Sequence, residues 1–100
     1  MCGIAGYVGQ GSEDILRQML DTIKYRGPDD QGFFVKGDIG LAQARLSIID
    51  LTAAGHQPMS NADQSIWVIF NGEIYNFLEL KDGLLKTGKY FFKSQTDTEV

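Results

Sequence analysis

Apolar positions recur at helical spacing in two stretches of this chain and at strand spacing in several others, which predicts a mixed α+β unit. The first helix is the plainest. Ser12 is a good N-cap, and Glu13 and Asp14 suit the positive end of a helix dipole. Ile15, Leu16, Met19, Leu20 and Ile23 return every three or four residues, so the spacing predicts a helix from about 13 to 25. Gly27 and Pro28 stop it, and residues 26–32 are rich enough in turn formers to read as a loop. Before the helix, residues 2–9 mix β-branched and aromatic side chains with glycines, the pattern of a strand closely approached by other backbone. After it, residues 32–36 and 39–45 flank Gly37-Asp38, a two-residue connection suited to a primed turn. Those two segments should pair as an antiparallel hairpin.

The second half is less regular. Residues 46–51 are apolar apart from Ser47 and Asp50, and residues 52–61 lack either periodicity and read as a loop. Residues 65–71 form a short β-branched and aromatic run that predicts a strand, with Ile74 and Tyr75 resuming that character past a Gly72-Glu73 corner. Asn76 with Glu79 three residues on resembles a capping box, and Phe77, Leu80, Leu84 and Leu85 supply the stripe of a second helix ending before Gly88. Gly83 lies inside that helix and should weaken it by about 1 kcal/mol relative to alanine. Residues 90–93 predict a further short strand. Thr96 and Glu99 form another capping box, announcing a helix whose body should follow Val100. With no repeat and no linker, the chain reads as the first part of a single, longer domain.

Composition narrows the classes of function. At 43% hydrophobic and 22% charged residues the chain can build an ordinary globular core. The net charge is -4 and the nine Lys and Arg residues are scattered, which argues against nucleic acid as a partner. The longest purely apolar run, residues 66–70, is far short of the roughly 20 residues a membrane helix needs. Residues 1–10 hold no Lys or Arg and no sustained apolar stretch, so no secretory signal can be drawn, and the expected compartment is the cytoplasm. One cysteine and one histidine cannot build a zinc site, so no metal is expected in this segment.

The single cysteine stands at position 2. Removal of Met1 would leave Cys2 with a free α-amine beside its own thiol. An α-amine titrates at about 7.7 to 8.0, so near neutrality a fraction is free to take a sulfur proton. Nucleophile and base would then belong to one residue. Asn71-Gly72 offers a side-chain amide and a glycine N–H, two donors of the kind that acyl transfer needs at the developing oxyanion. Arg45 has the planar fork that holds a carboxylate, and Asp97 can accept from an ammonium. Each has a plainer reading when taken singly. Cys2 would be an accident after the start, Asn71-Gly72 a hairpin turn, Arg45 a solvated strand end, Asp97 a helix cap, and His56 a loop histidine paired with no nucleophile.

The joint, ordered occurrence of six blocks changes that balance. They are Met1-Cys-Gly-Ile-Ala-Gly, Arg26-Gly-Pro-Asp, Arg45-Leu-Ser-Ile-Ile-Asp-Leu, Gly55-His-Gln-Pro-Met, Phe70-Asn-Gly-Glu-Ile-Tyr-Asn and Thr96-Asp-Thr-Glu-Val. This set resembles the class II glutamine amidotransferase domain of glutamine-hydrolysing asparagine synthetases. The resemblance runs nearly end to end. It implies the Ntn-hydrolase fold, a four-layer αββα sandwich of two antiparallel sheets between helices, with only its first half in these residues.

In that family the N-terminal cysteine attacks the glutamine side-chain amide, releases ammonia and leaves a γ-glutamyl thioester that water hydrolyses. The resemblance gives that role to Cys2 and the oxyanion donors to Asn71 and the Gly72 N–H. Arg45 would bind the α-carboxylate of glutamine, Glu73 and Asp97 its α-amino group, and backbone carbonyls near Ile48, Ile49 and Asp50 would assist. The loop over 26–32 would help close the pocket. The implied partners are glutamine, a C-terminal synthetase domain of the same chain that uses ATP and Mg, and a second copy in a homodimer. Ala44 and Gln95-Thr96 depart from the family's usual residues but touch no proposed catalytic atom. Two alternatives stay open: the same glutaminase chemistry with an acceptor other than aspartate, and a non-catalytic module that keeps the fold.

Overall fold

The computed structural model describes residues 2–100, so the expected removal of Met1 lies outside the described residues. Strand β1 (Gly3–Val8), helix α1 (Glu13–Asp21), and strands β2 (Asp30–Lys36) and β3 (Ile39–Arg45) form the first half. The strands make one antiparallel sheet in the order β1-β3-β2, with Gly3 opposite Ala44 and Asp30 opposite Arg45. The β2–β3 connection is the expected two-residue turn. Gly37 takes a φ of 57°, a region an L side chain enters only with strain, while Asp38 keeps a negative φ.

Helix α1 caps as its sequence predicts: Ser12 Oγ accepts the Ile15 N–H at 3.2 Å. Leu16 and Leu20 are completely buried on Ala42 and Ala44 of β3, with Ala5, Tyr7 and Phe33 around them. The helix ends at Asp21, four residues short of expectation. The Thr22 N–H and O–H both turn back to the Met19 carbonyl, and Ile23 leaves the helical region with φ near -124°. A short 3₁₀ turn, Lys24–Arg26, follows. Ile23 packs on Gly3, so the chain must bend there to carry its apolar side chain back over the first strand.

The opposite sheet face meets the second half. Residues alternate across a strand, so Phe34 and Gln43 point away from α1. Phe34 stacks on Trp67 with ring centroids 4.0 Å apart. Trp67 belongs to a two-residue strand, β5 (Trp67–Val68), paired antiparallel with β4 (Met59–Ser60). Two expectations are corrected here. Residues 59–60 are a strand and not the expected loop, and the strand expected over 65–71 shrinks to two residues because side chains, not a partner strand, hold Phe70. Asn71-Gly72 therefore closes no hairpin, and Ile74 and Tyr75 are not strand.

Helix α2 (Phe77–Lys86) forms as expected, but Asn76 makes no side-chain cap, so the predicted capping box with Glu79 is absent. Residues 90–93 are not a strand, since the Lys93 and Ser94 N–H groups both donate to the Glu99 carboxylate, at 2.6 and 2.7 Å. That use of Glu99 also removes the second expected capping box. Thr96 makes no cap hydrogen bond, and Asp97–Glu99 is a 3₁₀ turn. The result is a small α+β unit with antiparallel sheets and two α-helices among the described residues.

Candidate functional site

The end of β3, the start of β1 and the loops after β3 and β5 leave a cavity of about 350 Å³ between them. Cys2, Arg45, Ile48, Ile49, Asn71, Gly72, Glu73 and Asp97, drawn from five separate stretches of sequence, all line it. Register explains the first two. Gly3 lies opposite Ala44, which brings Cys2 beside the end of β3. The Leu46 N–H donates to Cys2 Sγ at 3.3 Å, and the thiol faces the Leu46 carbonyl at 3.6 Å. The backbone just past Arg45 thus seats the sulfur. Arg26 Nε donates to the Cys2 carbonyl at 3.2 Å, fixing the same residue from the other side.

Arg45 is buried rather than a solvated strand end. Its Nη1 donates to the Thr52 carbonyl at 2.7 Å, and its Nη2 donates to the Asp50 carbonyl. Gly55 lies flat against the guanidinium, and a Cβ there would fall 2.7 Å from Cζ. Three N–H groups remain for other acceptors in the fork's plane. Asp97 is equally buried, and its Oδ2 accepts the Ile74 N–H at 2.8 Å. It bonds across the chain instead of capping its own turn. Asn71 is half-buried, Glu73 is exposed, and Ile48 and Ile49 expose apolar surface along the cavity.

Three contributors were not singled out from the sequence. Leu46 acts through its backbone, which leaves no compositional signal. Gln57 lines the cavity and is buried, as is Gln43 behind it. A glutamine between Ala42 and Ala44 in an apolar strand was the available clue, since a buried amide must find partners. The side chain of Asp50 is the third. Its carboxylate accepts the Thr52 hydroxyl at 2.6 Å, the Thr52 N–H at 2.8 Å and the Gln95 N–H at 2.9 Å. The Thr52 hydroxyl, then the Gln95 and Thr52 amides, and lastly the Arg45 charge hold its pKa down at about 2 against an ordinary 3.8, burial opposing them.

A carboxyl whose folded pKa is depressed stabilises the fold fully above its unfolded value and loses that contribution as pH falls. For Asp50 the window is from pH 3.8 to about 2. Asp50→Asn is expected to lower stability at neutral pH, by a margin that shrinks as the pH falls through that window. Urea denaturation of both proteins across the window checks this, and parallel curves would show that Asp50 is not the group responsible.

Asp30 and His56 lie on the other side of Arg45, with Asp30 Oδ2 2.5 Å from His56 Nδ1. His56 is therefore partnered, by a carboxylate and not by the thiol. Among the described residues no group of three or more His, Cys, Asp or Glu side chains could hold a metal ion, and no helix is long and apolar enough to cross a membrane.

A thiol near the start of the chain, seated by backbone, thus shares one cavity with a buried guanidinium and a buried carboxylate. The chain belongs to the glutamine amidotransferase domain family, which matches residues 1–100. It is 42% and 44% identical to two glutamine-hydrolysing asparagine synthetases of Bacillus subtilis, in each case over all of this chain and over 17% and 14% of theirs. It is 35% identical to amidase chyE of Penicillium rubens, over all of this chain and 17% of that protein. The chain thus spans less than a fifth of the length of these curated relatives.

Proposed function

We propose that these residues are the N-terminal part of a glutaminase domain that supplies ammonia to a synthetase domain in the same protein, which acts in the cytoplasm. Removal of Met1 frees the Cys2 α-amine, which accepts the thiol proton. The sulfur attacks the side-chain carbonyl carbon of glutamine, and the oxyanion that forms accepts hydrogen bonds from the Asn71 amide and the Gly72 N–H. Collapse of that adduct breaks the C–N bond, and the α-ammonium returns its proton to the leaving nitrogen, which departs as ammonia. Water then hydrolyses the γ-glutamyl thioester, giving glutamate and the free thiol.

Arg45 binds the α-carboxylate with its remaining N–H groups, Glu73 and Asp97 bind the α-amino group, and carbonyls near Ile48 and Ile49 line the approach. The longer domain is a four-layer αββα sandwich, and the acceptor of ammonia is aspartate. ATP and Mg serve the synthetase domain, and no step here runs through them. What supports the reading is the single cavity that gathers Cys2, Arg45, Asn71, Gly72, Glu73 and Asp97. A second reading keeps this chemistry and changes the acceptor, and the likeness to amidase chyE favours it.

The test is intact-mass analysis of the full-length protein before and after 6-diazo-5-oxo-norleucine, with peptide mapping of the adduct. Loss of Met1 and a label on Cys2 are expected. A retained Met1 with an unlabelled Cys2 would remove both readings, because the α-amine base would be tied up in a peptide bond and the thiol would be unreactive.

A further inference from the structure

Strand β5 ends at Val68, yet the backbone of Phe70 is fully hydrogen-bonded by two buried side chains. Gln57 Oε1 accepts the Phe70 N–H at 2.7 Å, and Gln43 Nε2 donates to the Phe70 carbonyl at 2.8 Å. The two amides also bond each other, Gln43 Nε2 to Gln57 Oε1 at 2.7 Å. Only one orientation of each amide satisfies all three contacts. The Phe70 N–H is a donor, so the Gln57 atom facing it is oxygen, and the Gln43 atom facing that oxygen is then nitrogen.

The Phe70 carbonyl belongs to the same rigid peptide plane as the Asn71 N–H. Fixing that carbonyl therefore fixes the direction in which the chain enters Asn71-Gly72. Two residues after Gly72, the Ile74 N–H is held by Asp97. Gln57 Nε2 also donates to Thr98 Oγ1 at 3.1 Å, joining the two anchor points. Gln43 Oε1 itself is buried without a partner, so the pair carries a cost of its own while it holds the Phe70 peptide.

We infer that Gln43 and Gln57 are positioning residues that clamp the Phe70 peptide and so aim the Asn71 and Gly72 donors at the reacting carbonyl. The inference rests on the glutaminase reading above, and it concerns the transition state more than substrate binding. An oxyanion donor counts only where charge develops, and a small misplacement is felt in kcat.

The experiment compares glutamine hydrolysis with alkylation of Cys2 by iodoacetamide in the full-length protein. Alkylation displaces iodide at a saturated carbon and uses no oxyanion donor. Gln43→Met is expected to lower kcat by about 10- to 100-fold, with KM for glutamine and the alkylation rate each within about threefold of the parent. Gln57→Met should behave alike. Gln57→Glu keeps the acceptor facing the Phe70 N–H and should recover most of the kcat lost in Gln57→Met. The clamp is overturned if Gln43→Met keeps its kcat, or if KM rises and alkylation slows together with the loss of kcat. Should Gln43→Met not fold, the Gln57 pair decides, and a Glu variant no better than Met overturns the clamp. A parent protein that neither hydrolyses glutamine nor alkylates at Cys2 sinks the glutaminase reading itself, a different outcome from an active parent with an indifferent Gln43.

Discussion

Cys2→Ala is expected to lower glutamine hydrolysis by on the order of 10⁴-fold or more, because it removes the only group in the cavity that can form the thioester. No second thiol exists in these residues to take over. The fold should not respond. Cys2 is half-buried, its sulfur makes two long contacts to Leu46, and β1 is held by its ladder to β3 and by Arg26 on the Cys2 carbonyl. Cys2→Ser is the sharper variant, since the hydroxyl keeps the shape and the donor but is a far poorer nucleophile at neutral pH. It should also be nearly inactive while binding glutamine with little change. Glutamate release and glutamine binding, measured on the same preparations, check both. Hydrolysis within tenfold of the parent in Cys2→Ala would assign the chemistry to some other group.

The residues and elements that build the cavity differed in how plainly the sequence announced them. Elements with their own period were legible: α1 from its cap and stripe, and the β2–β3 hairpin from Gly37-Asp38. Elements defined by distant partners were not. The strand expected over 65–71 was cut short because Gln57 and Gln43, which are 13 and 27 residues from Phe70, take its backbone groups. The strand expected over 90–93 lost its donors to Glu99, and both capping boxes failed because the residues at their ends bond elsewhere or not at all. Local rules describe what a segment does when nothing competes, and here side chains compete.

The same contrast runs through the cavity. Arg45 and Asp97 each had a plainer local reading, which burial contradicts for Arg45 and the hydrogen bond from Ile74 contradicts for Asp97. A guanidinium and a carboxylate enter a fold only when their hydrogen bonds are supplied, and the loops over 50–55 and 72–74 supply them through main-chain groups. Such main-chain partners have no residue type of their own. That is why the ordered blocks, and not any single position, carried the resemblance, and why Leu46, Gln43, Gln57 and the side chain of Asp50 became visible only in three dimensions.

Gly32→Ala is expected to be strongly destabilising, and Gly83→Ala to be mildly favourable. Gly32 lies in β2 on the face toward the second half. A Cβ there would overlap the Gln57 carbonyl oxygen and come within 2.8 Å of its carbon and 2.7 Å of His56 Nε2. The obstacle is backbone, so a rotamer change cannot relieve it. Either β2 leaves its register with β3, or the loop carrying Gln57 moves away and releases Phe70. Overpacking of this kind costs about 1–3 kcal/mol, and the upper end or beyond applies where main chain must move. Gly83, in contrast, lies inside α2 with nothing within 4 Å of its added Cβ. Alanine there relieves the backbone entropy of glycine and should stabilise by about 0.5–1 kcal/mol. Chemical denaturation of the two full-length variants gives both numbers. If Gly32→Ala denatures with the parent, the contact between β2 and the Gln57 loop is not a packed one. Should it be destabilised as expected, its glutaminase kcat in the folded range should fall as well, because the loop that yields is the one holding the Phe70 peptide.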